Sequence, residues 1–200
     1  DKFNVKCYDV LTGFKYIADT IKTNEGKTQF IGGGEESYGY LAGEFVRDKD
    51  AVIACSLIAE AAAWAATKGK TMYQLLSDIY VEYGFYRESL VNVVKEGKSG
   101  AEEIQKMMSD YRQNPPQMID NKKVVIIKDY KTSVCQNLLS GEKSEILLPK
   151  SNVLQFFLED GSKISIRPSG TEPTIKFYFG VQSPVKNVDD VANAEKVCLD

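Results

Sequence analysis

Histidine is missing from all 200 residues, and its absence excludes Ser/His/Asp and Cys/His nucleophilic sites together with the commonest metal ligand. Whatever chemistry the chain supports runs on carboxylates, hydroxyls, lysine and arginine. Cysteine is sparse: Cys7, Cys55, Cys135 and Cys198 stand far apart without a C-x-x-C spacing. That pattern argues against a disulfide framework or a zinc site and for reduced thiols in a cytoplasmic setting. No run of like charges forms a tail, and a formal net charge of -3 offers no basic surface to draw in nucleic acid or anionic lipid from a distance. Long apolar runs are lacking too. The longest, Ala51 to Ala66, is broken by Glu60 and is short for a bilayer, and no basic start with an apolar core marks a secretory leader. What is present, 43% hydrophobic and 26% charged residues, is the composition of a globular chain with room for one large core or two modest ones.

Phe3, Val5 and Cys7 alternate as in a strand, and the abrupt opening at Asp1 suggests a cut inside a larger protein. Phe14, Ile17, Ala18 and Ile21 recur at helical spacing. Gln29 to Ile31 reads as a strand running into the glycine run Gly32 to Gly34 and then the acidic loop Glu35-Glu36-Ser37-Tyr38-Gly39. Asp50 predicts a cap for a helix over 51–67, whose apolar surface runs almost all the way round and so should be packed between other elements. Thr71 and Gln74 form a capping box for the next helix, which Gly84 stops.

The texture then changes. Tyr86 to Val94 reads as a strand, Ser99 and Glu102 as a capping box for a helix through Tyr111, and Asn114-Pro115-Pro116 as its end. Val124 to Tyr130, Val153 to Leu158, Lys163 to Arg167 and Ile175 to Val181 follow as strands, with Asp160-Gly161 as a hairpin turn. A last helix is expected over 188–198. We therefore expect an α/β segment over 1–85 and, over 86–200, an α+β domain with an antiparallel sheet and helices on one side.

Two loops carry candidate chemistry. Arg167-Pro168-Ser169-Gly170-Thr171-Glu172-Pro173 places a guanidinium, two hydroxyls and a glycine between strands. Arg167 can grip two phosphate oxygens with its planar fork, Ser169 and Thr171 can donate, and Gly170 lets backbone N–H groups approach an anion. Composition alone also fits a polar hairpin connection stiffened by prolines. Gly34-Glu35-Glu36-Ser37 presents acceptors instead, which suits vicinal hydroxyls, and by itself also fits a solvated acidic turn. Arg47-Asp48-Lys49-Asp50 stands ahead of the long helix, where Lys49 can face the same ligand as Glu35; Lys15 is a further candidate cation. Gly69-Lys70-Thr71 is not a Walker loop, since Trp64 occupies the first glycine position.

Together these loops are more specific than either alone. Gly34 to Gly39 resembles the sugar-recognition loop of the third domain of α-D-phosphohexomutases, and Arg167 to Pro173 resembles the phosphate loop of their fourth domain, in the same order and at a similar separation. Thr12 to Ile17 and Arg47 to Asp50 resemble flanking segments of that third domain, and the loop form is most like the phosphoglucomutase branches. The resemblance implies a cytoplasmic four-domain enzyme in which a phosphoserine of domain one and Mg2+ convert a hexose phosphate through a bisphosphate. It implies Glu35, Ser37 and Lys49 as sugar contacts and Arg167, Ser169, Gly170, Thr171 and Lys15 as phosphate contacts; Glu172 matches the motif without an assigned role. The family's Thr-Ala-Ser-His-Asn-Pro and Asp-Gly-Asp-x-Asp-Arg loops do not occur in this sequence. No catalytic nucleophile or metal ligand is therefore assigned to it. The expected chain is a C-terminal portion, with domain three short of its first strand and helix and domain four short in its last helix, inactive alone. Its expected partners are a phosphosugar and the N-terminal domains of the same enzyme, not nucleic acid or membrane. A phosphomannomutase, a phosphopentomutase, or a non-catalytic interaction module with the family fold stays open.

Overall fold

Glycines and caps set the elements of the first unit. The computed structural model describes residues 2–35, 38–170 and 172–198, which divide into two units, Asp1–Leu76 and Ser77–Asp200. Helix α1 (Phe14–Asn24) starts behind Gly13, whose φ of 121° suits glycine. Its stripe of Phe14, Ile17 and Ile21 packs on Leu41 and Phe30. Strands β1 (Gly32–Glu35) and β2 (Gly39–Ala42) pair antiparallel, with Gly32 opposite Ala42 and Glu35 opposite Gly39. The strand expected over 29–31 thus falls on the glycine run itself. The reason is close packing: a Cβ on Gly33 would sit 3.1 Å from Ile17 Cγ2, tighter than ordinary contact, so glycine lets the hairpin lie against α1 without displacing that side chain. Phe3 to Cys7 forms no strand and is exposed; alternation without a neighbour to pair with does not make one.

Helix α2 (Ala51–Thr67) is capped as expected, Asp50 accepting from the N–H groups of Val52 at 2.8 Å and Ile53 at 3.2 Å. The expectation that it is packed on all sides fails. Ala65 is its one buried residue, while Val52 is 77% and Ile58 62% exposed, because within this unit β2 packs along it and a single neighbour covers a single stripe. Helix α3 (Met72–Tyr83) starts at the expected box: Gln74 N–H bonds Thr71 Oγ1 at 3.2 Å and Thr71 N–H bonds Gln74 Oε1 at 2.8 Å. The division between units falls inside α3. No single helix among the described residues is long and apolar enough to cross a membrane.

The second unit is built on β3 (Phe85–Val94), α4 (Gly97–Gln113), β4 (Met118–Ile119), β5 (Lys122–Asp129), β6 (Val134–Asn137), β7 (Lys143–Glu145), β8 (Leu154–Leu158), β9 (Lys163–Pro168), β10 (Thr174–Ser183) and α5 (Val191–Val197). Its antiparallel sheet runs β3-β10-β9-β8-β5-β6-β7, with β4 pairing β5. Helix α4 starts two residues before the expected Ser99 box, after Glu96, whose side chain makes no capping bond. The chain turns into it through Gly97 at φ 73°, a left-handed conformation that glycine adopts freely. The last helix divides into a 3-10 turn, Val188–Asp190, capped by Asn187, and α5.

Period-two alternation splits the sheet into two faces. Leu154, Phe156, Leu158, Ile164, Ile166 and Ile175 point to one side, where Ile104 and Met108 of α4 pack on them. Tyr111 of α4 meets Phe177 edge-on, centroids 6.5 Å apart. Ser183 and Ile175 share that face of β10, and Phe85, opposite Ser183, packs there with Val191 and Ala194 of α5. Both helices therefore lie on one side, and among the described residues neither covers the other, the open face. A half-buried pair ties α4 to β5: Arg112 Nε donates to Asp129 at 3.2 Å and Nη2 to Asn152 Oδ1 at 2.6 Å.

Candidate functional site

In the first unit the hairpin β1–β2 delivers Glu35 at its tip. Its carboxylate is drawn in, 12% exposed, and Lys49 Nζ lies 3.3 Å from Oε1. Lys49 in turn lies over the Phe14 ring, 5.7 Å from its centroid. It is placed there because Asp50 both caps α2 and donates its N–H to the Tyr40 carbonyl at 2.8 Å, pinning the start of the helix to the hairpin. Gly39 is part of the same construction: a Cβ there would meet Glu35 Oε1 at 2.8 Å and Lys49 Cδ at 2.9 Å. The pair leaves Glu35 an anchored acceptor with free lone pairs, the equipment for hydroxyls rather than anions. Tyr38, beside it, is 92% exposed at φ 61°, an uncommon conformation for an aromatic residue. Ser37 lies outside the described residues. Lys15 sits on α1 with its ammonium over the ring of its neighbour Tyr16, 5.0 Å from the centroid, and Arg47 pairs with Glu25 at 2.9 Å; neither is joined to Glu35.

In the second unit Arg167 stands near the end of β9 on the open face, and the chain then turns back into β10. The turn is held by its own backbone: Ser169 N–H bonds the Thr174 carbonyl at 2.8 Å, Thr174 N–H the Glu172 carbonyl at 2.8 Å, and the Pro173 carbonyl accepts from Lys95 N–H at 2.9 Å. Glu172 contributes its backbone, its N–H reaching Ser169 Oγ at 3.2 Å. Gly170 is not required by crowding from elsewhere in the fold, since among the described residues no atom beyond its chain neighbours comes within 4 Å of where its Cβ would sit. Thr171 lies outside the described residues.

Two further residues belong to this place and were not singled out in the sequence. Lys176 is directly opposite Arg167 across the β9–β10 pair, so two cations share one point of the open face. Like charges opposed in this way destabilise a sheet unless something answers them. Tyr178 is next along the same face, its hydroxyl accepting from Arg167 Nη2 at 3.2 Å. The signal that finds both is alternation: once Ile175, Phe177 and Phe179 are read as core, 176 and 178 fall on the face of Arg167. Among the described residues no group of three or more His, Cys, Asp or Glu side chains is placed to hold a metal ion.

Comparison with known proteins identifies both units. The family described as phosphoglucomutase/phosphomannomutase, alpha/beta/alpha domain III, matches residues 1–83, and the one described as phosphoglucomutase/phosphomannomutase, C-terminal domain, matches residues 90–196. Phosphoglucomutase of Staphylococcus aureus strain bovine RF122 / ET3-1 is 43% identical over 189 residues, 94% of this chain and 34% of that protein. Phosphoglucomutase of strain MRSA252 is 42% identical over the same length. The chain thus spans about a third of the length of these relatives. Among solved structures, the open form of the exocytosis-sensitive phosphoprotein pp63/parafusin, a phosphoglucomutase from Paramecium, matches with a TM-score of 0.61 at 19% identity, over 99% of this chain and 34% of that one; a likeness at that identity concerns the fold.

Proposed function

The chain belongs to the phosphoglucomutase/phosphomannomutase family, of which it carries domain III and C-terminal domain sequence, and from that premise we propose that it supplies sugar and phosphate recognition to a phosphoglucomutase. On this reading the whole enzyme interconverts hexose 1-phosphate and hexose 6-phosphate through a phosphoserine and a bisphosphorylated sugar. The phosphoserine and Mg2+ belong to segments outside this sequence, so the chain alone binds without turnover. By sequence the sugar-binding domain runs over 1–85, past the α3 division between the two compact units, and 86–200 is the phosphate-binding domain.

The observation that carries this is the pairing of chemistries within the two loops. Glu35, fixed by Lys49 at 3.3 Å, accepts from sugar hydroxyls, and Ser37, two positions on in the sequence, is the second contact. Because a carboxylate and a hydroxyl read hydroxyl pairs and not a carbon number, they serve a sugar presented in either direction. Arg167 grips the phosphate that is not reacting, with Ser169, Thr171 and the backbone of Gly170 completing the cradle and Lys176 adding charge. The turn is closed by its own hydrogen bonds before ligand arrives, so ordering it costs little at binding. Lys15, over Tyr16, is a peripheral phosphate contact.

The test is an NMR titration of the 15N-labelled chain with glucose 1-phosphate and glucose 6-phosphate. The amide signals of Arg167 and of 169–172 should move, and Arg167→Ala should abolish the movement. Unmoved signals in the unsubstituted chain would overturn the phosphate assignment. Turnover of the intact enzyme on glucose, mannose and pentose phosphates decides the sugar.

A further inference from the structure

Arginines at protein surfaces are commonly held by carboxylates, and a carboxylate that orients a guanidinium also neutralises it. Arg167 is held differently. No carboxylate pairs with it among the described residues; its partner is the phenol of Tyr178, whose oxygen accepts from Nη2 at 3.2 Å and whose ring centroid lies 5.8 Å from the guanidinium carbon. A phenol accepts a hydrogen bond, and its ring face attracts a cation, without adding a negative charge. The guanidinium is thereby oriented while its full charge stays available.

Tyr178 is itself firmly placed. It alternates with Phe177 and Phe179, which pack against the core, and it sits directly opposite Ser165. Ser165 is one end of a polar chain across the open face, accepting from Gln155 Nε2 at 3.1 Å, while Gln155 Oε1 accepts from Tyr130 at 2.9 Å. A tyrosine on a strand can be present for β-propensity alone. What distinguishes this one is that its polar end is spent on a cation that has no acidic partner among the described residues.

We propose that Tyr178 is a positioning residue for Arg167, a neutral acceptor that holds the guanidinium fork for a phosphate group without discharging it. The proposal rests on the phosphate reading of the 167–173 turn given above. Arg167 has five N–H donors, of which one is committed to Tyr178, leaving the rest for phosphate oxygens. Tyr178 acts through Arg167, not on the ligand.

The test uses the 15N-labelled chain and three variants, Tyr178→Phe, Tyr178→Glu and Arg167→Lys, with glucose 6-phosphate and inorganic phosphate as probes. Tyr178→Phe keeps the ring and the strand, so the melting temperature should hold. The Arg167 Nε–H signal of the ligand-free chain should shift or broaden, and affinity for both probes should fall about three- to tenfold. Tyr178→Glu, which keeps an acceptor but adds charge, should lose more affinity than Tyr178→Phe. In the Arg167→Lys background Tyr178→Phe should cost less than about twofold, because nothing remains to position. An unchanged Arg167 signal with full affinity, or an equal loss in both backgrounds, overturns the proposal. If the unsubstituted chain binds neither probe, the phosphate reading falls, and the Arg167 signal of the ligand-free Tyr178→Phe variant still decides whether Tyr178 orients the guanidinium.

Discussion

Replacing Gly100 by alanine should destabilise the second unit, against the ordinary rule for helices. Gly100 lies in the first turn of α4, and helix propensity alone credits Gly→Ala there with a gain of about 1 kcal/mol. The new Cβ, however, would sit 2.4 Å from the Lys95 carbonyl oxygen and 2.5 Å from its carbon. Ordinary carbon contacts lie near 3.5 Å, so the carbonyl must retreat by roughly 1 Å. That carbonyl is backbone, and it has little freedom: Lys95 N–H bonds the Pro173 carbonyl at 2.9 Å and Lys95 Nζ meets Glu103 at 3.0 Å. Overpacking of this kind costs about 1–3 kcal/mol, and a weakened Lys95–Pro173 bond about 1 more. After subtracting the propensity gain, a net loss of about 1–3 kcal/mol is expected, or a fall in melting temperature of about 3–5 °C per kcal/mol for a unit of this size. Because Pro173 closes the phosphate turn, the amide signals of Ser169 and Glu172 should move as well, with no ligand present. The assay is urea unfolding with a fixed m value, paired with those NMR signals. An alanine variant more stable by about 1 kcal/mol would refute the packing argument outright.

Four other outcomes follow from the same reasoning. Asp129→Ala strands the half-buried Arg112 and frees Lys131 N–H and Thr132 Oγ1, now 3.0 and 2.9 Å from its oxygens; a loss of about 2–4 kcal/mol in urea unfolding is expected. Asp50→Ala removes the cap of α2 and should cost the first unit about 1 kcal/mol by the same measurement, with the Tyr40 amide shifting too. Burial pushes the Asp160 carboxyl up, but the Ser162 N–H and the Lys122 ammonium outweigh it and hold it below the usual carboxylate range. The hydrogen bond to Asp160 is the chief cause that raises Lys122. The pair's stabilisation is therefore present above about pH 4, fades as pH falls through the depressed Asp160 value, and fades again as pH rises beyond about 10 through the raised Lys122 value; Lys122→Met should flatten the acid limb of the pH–stability profile, and an unchanged limb would count against the pair. Burial likewise raises the Cys198 thiol, whereas Cys7 and Cys55 are exposed, so iodoacetamide at neutral pH should label the exposed two first by mass spectrometry.

What was legible in the sequence was whatever a local signal decides. Helix α2 runs from Ala51 to Thr67 because Asp50 caps it and Gly69 ends it, and β10 follows the alternation of its apolar residues. The hairpin strand at 32–35 was not legible, since glycine has no side chain to alternate and its placement is set by Ile17 across the packing interface. Strands β6 and β7 were missed for a related reason: they are short and polar, and exist because β5 offers an edge for pairing. The same limit holds at the candidate sites. Arg167 and Glu35 stand out by residue type and spacing, but the Lys49–Glu35 contact needs the Asp50–Tyr40 bond, and the company of Lys176 and Tyr178 needs the register of β9 against β10. Burial of α2 was misjudged because composition reports what a helix can bury and not what lies alongside it.

The open face and the core are read from the same two strands on alternate residues, and that imposes a parity on evolution. In β10, 175, 177 and 179 belong to the interior and 176 and 178 to the cations and the phenol. Gain or loss of one codon inside this strand would swap the two sets, driving a lysine into the interior and phenylalanines into water. A change of two codons preserves the assignment. Length variation among related chains should therefore be confined to the turns, or come in even steps within β9 and β10.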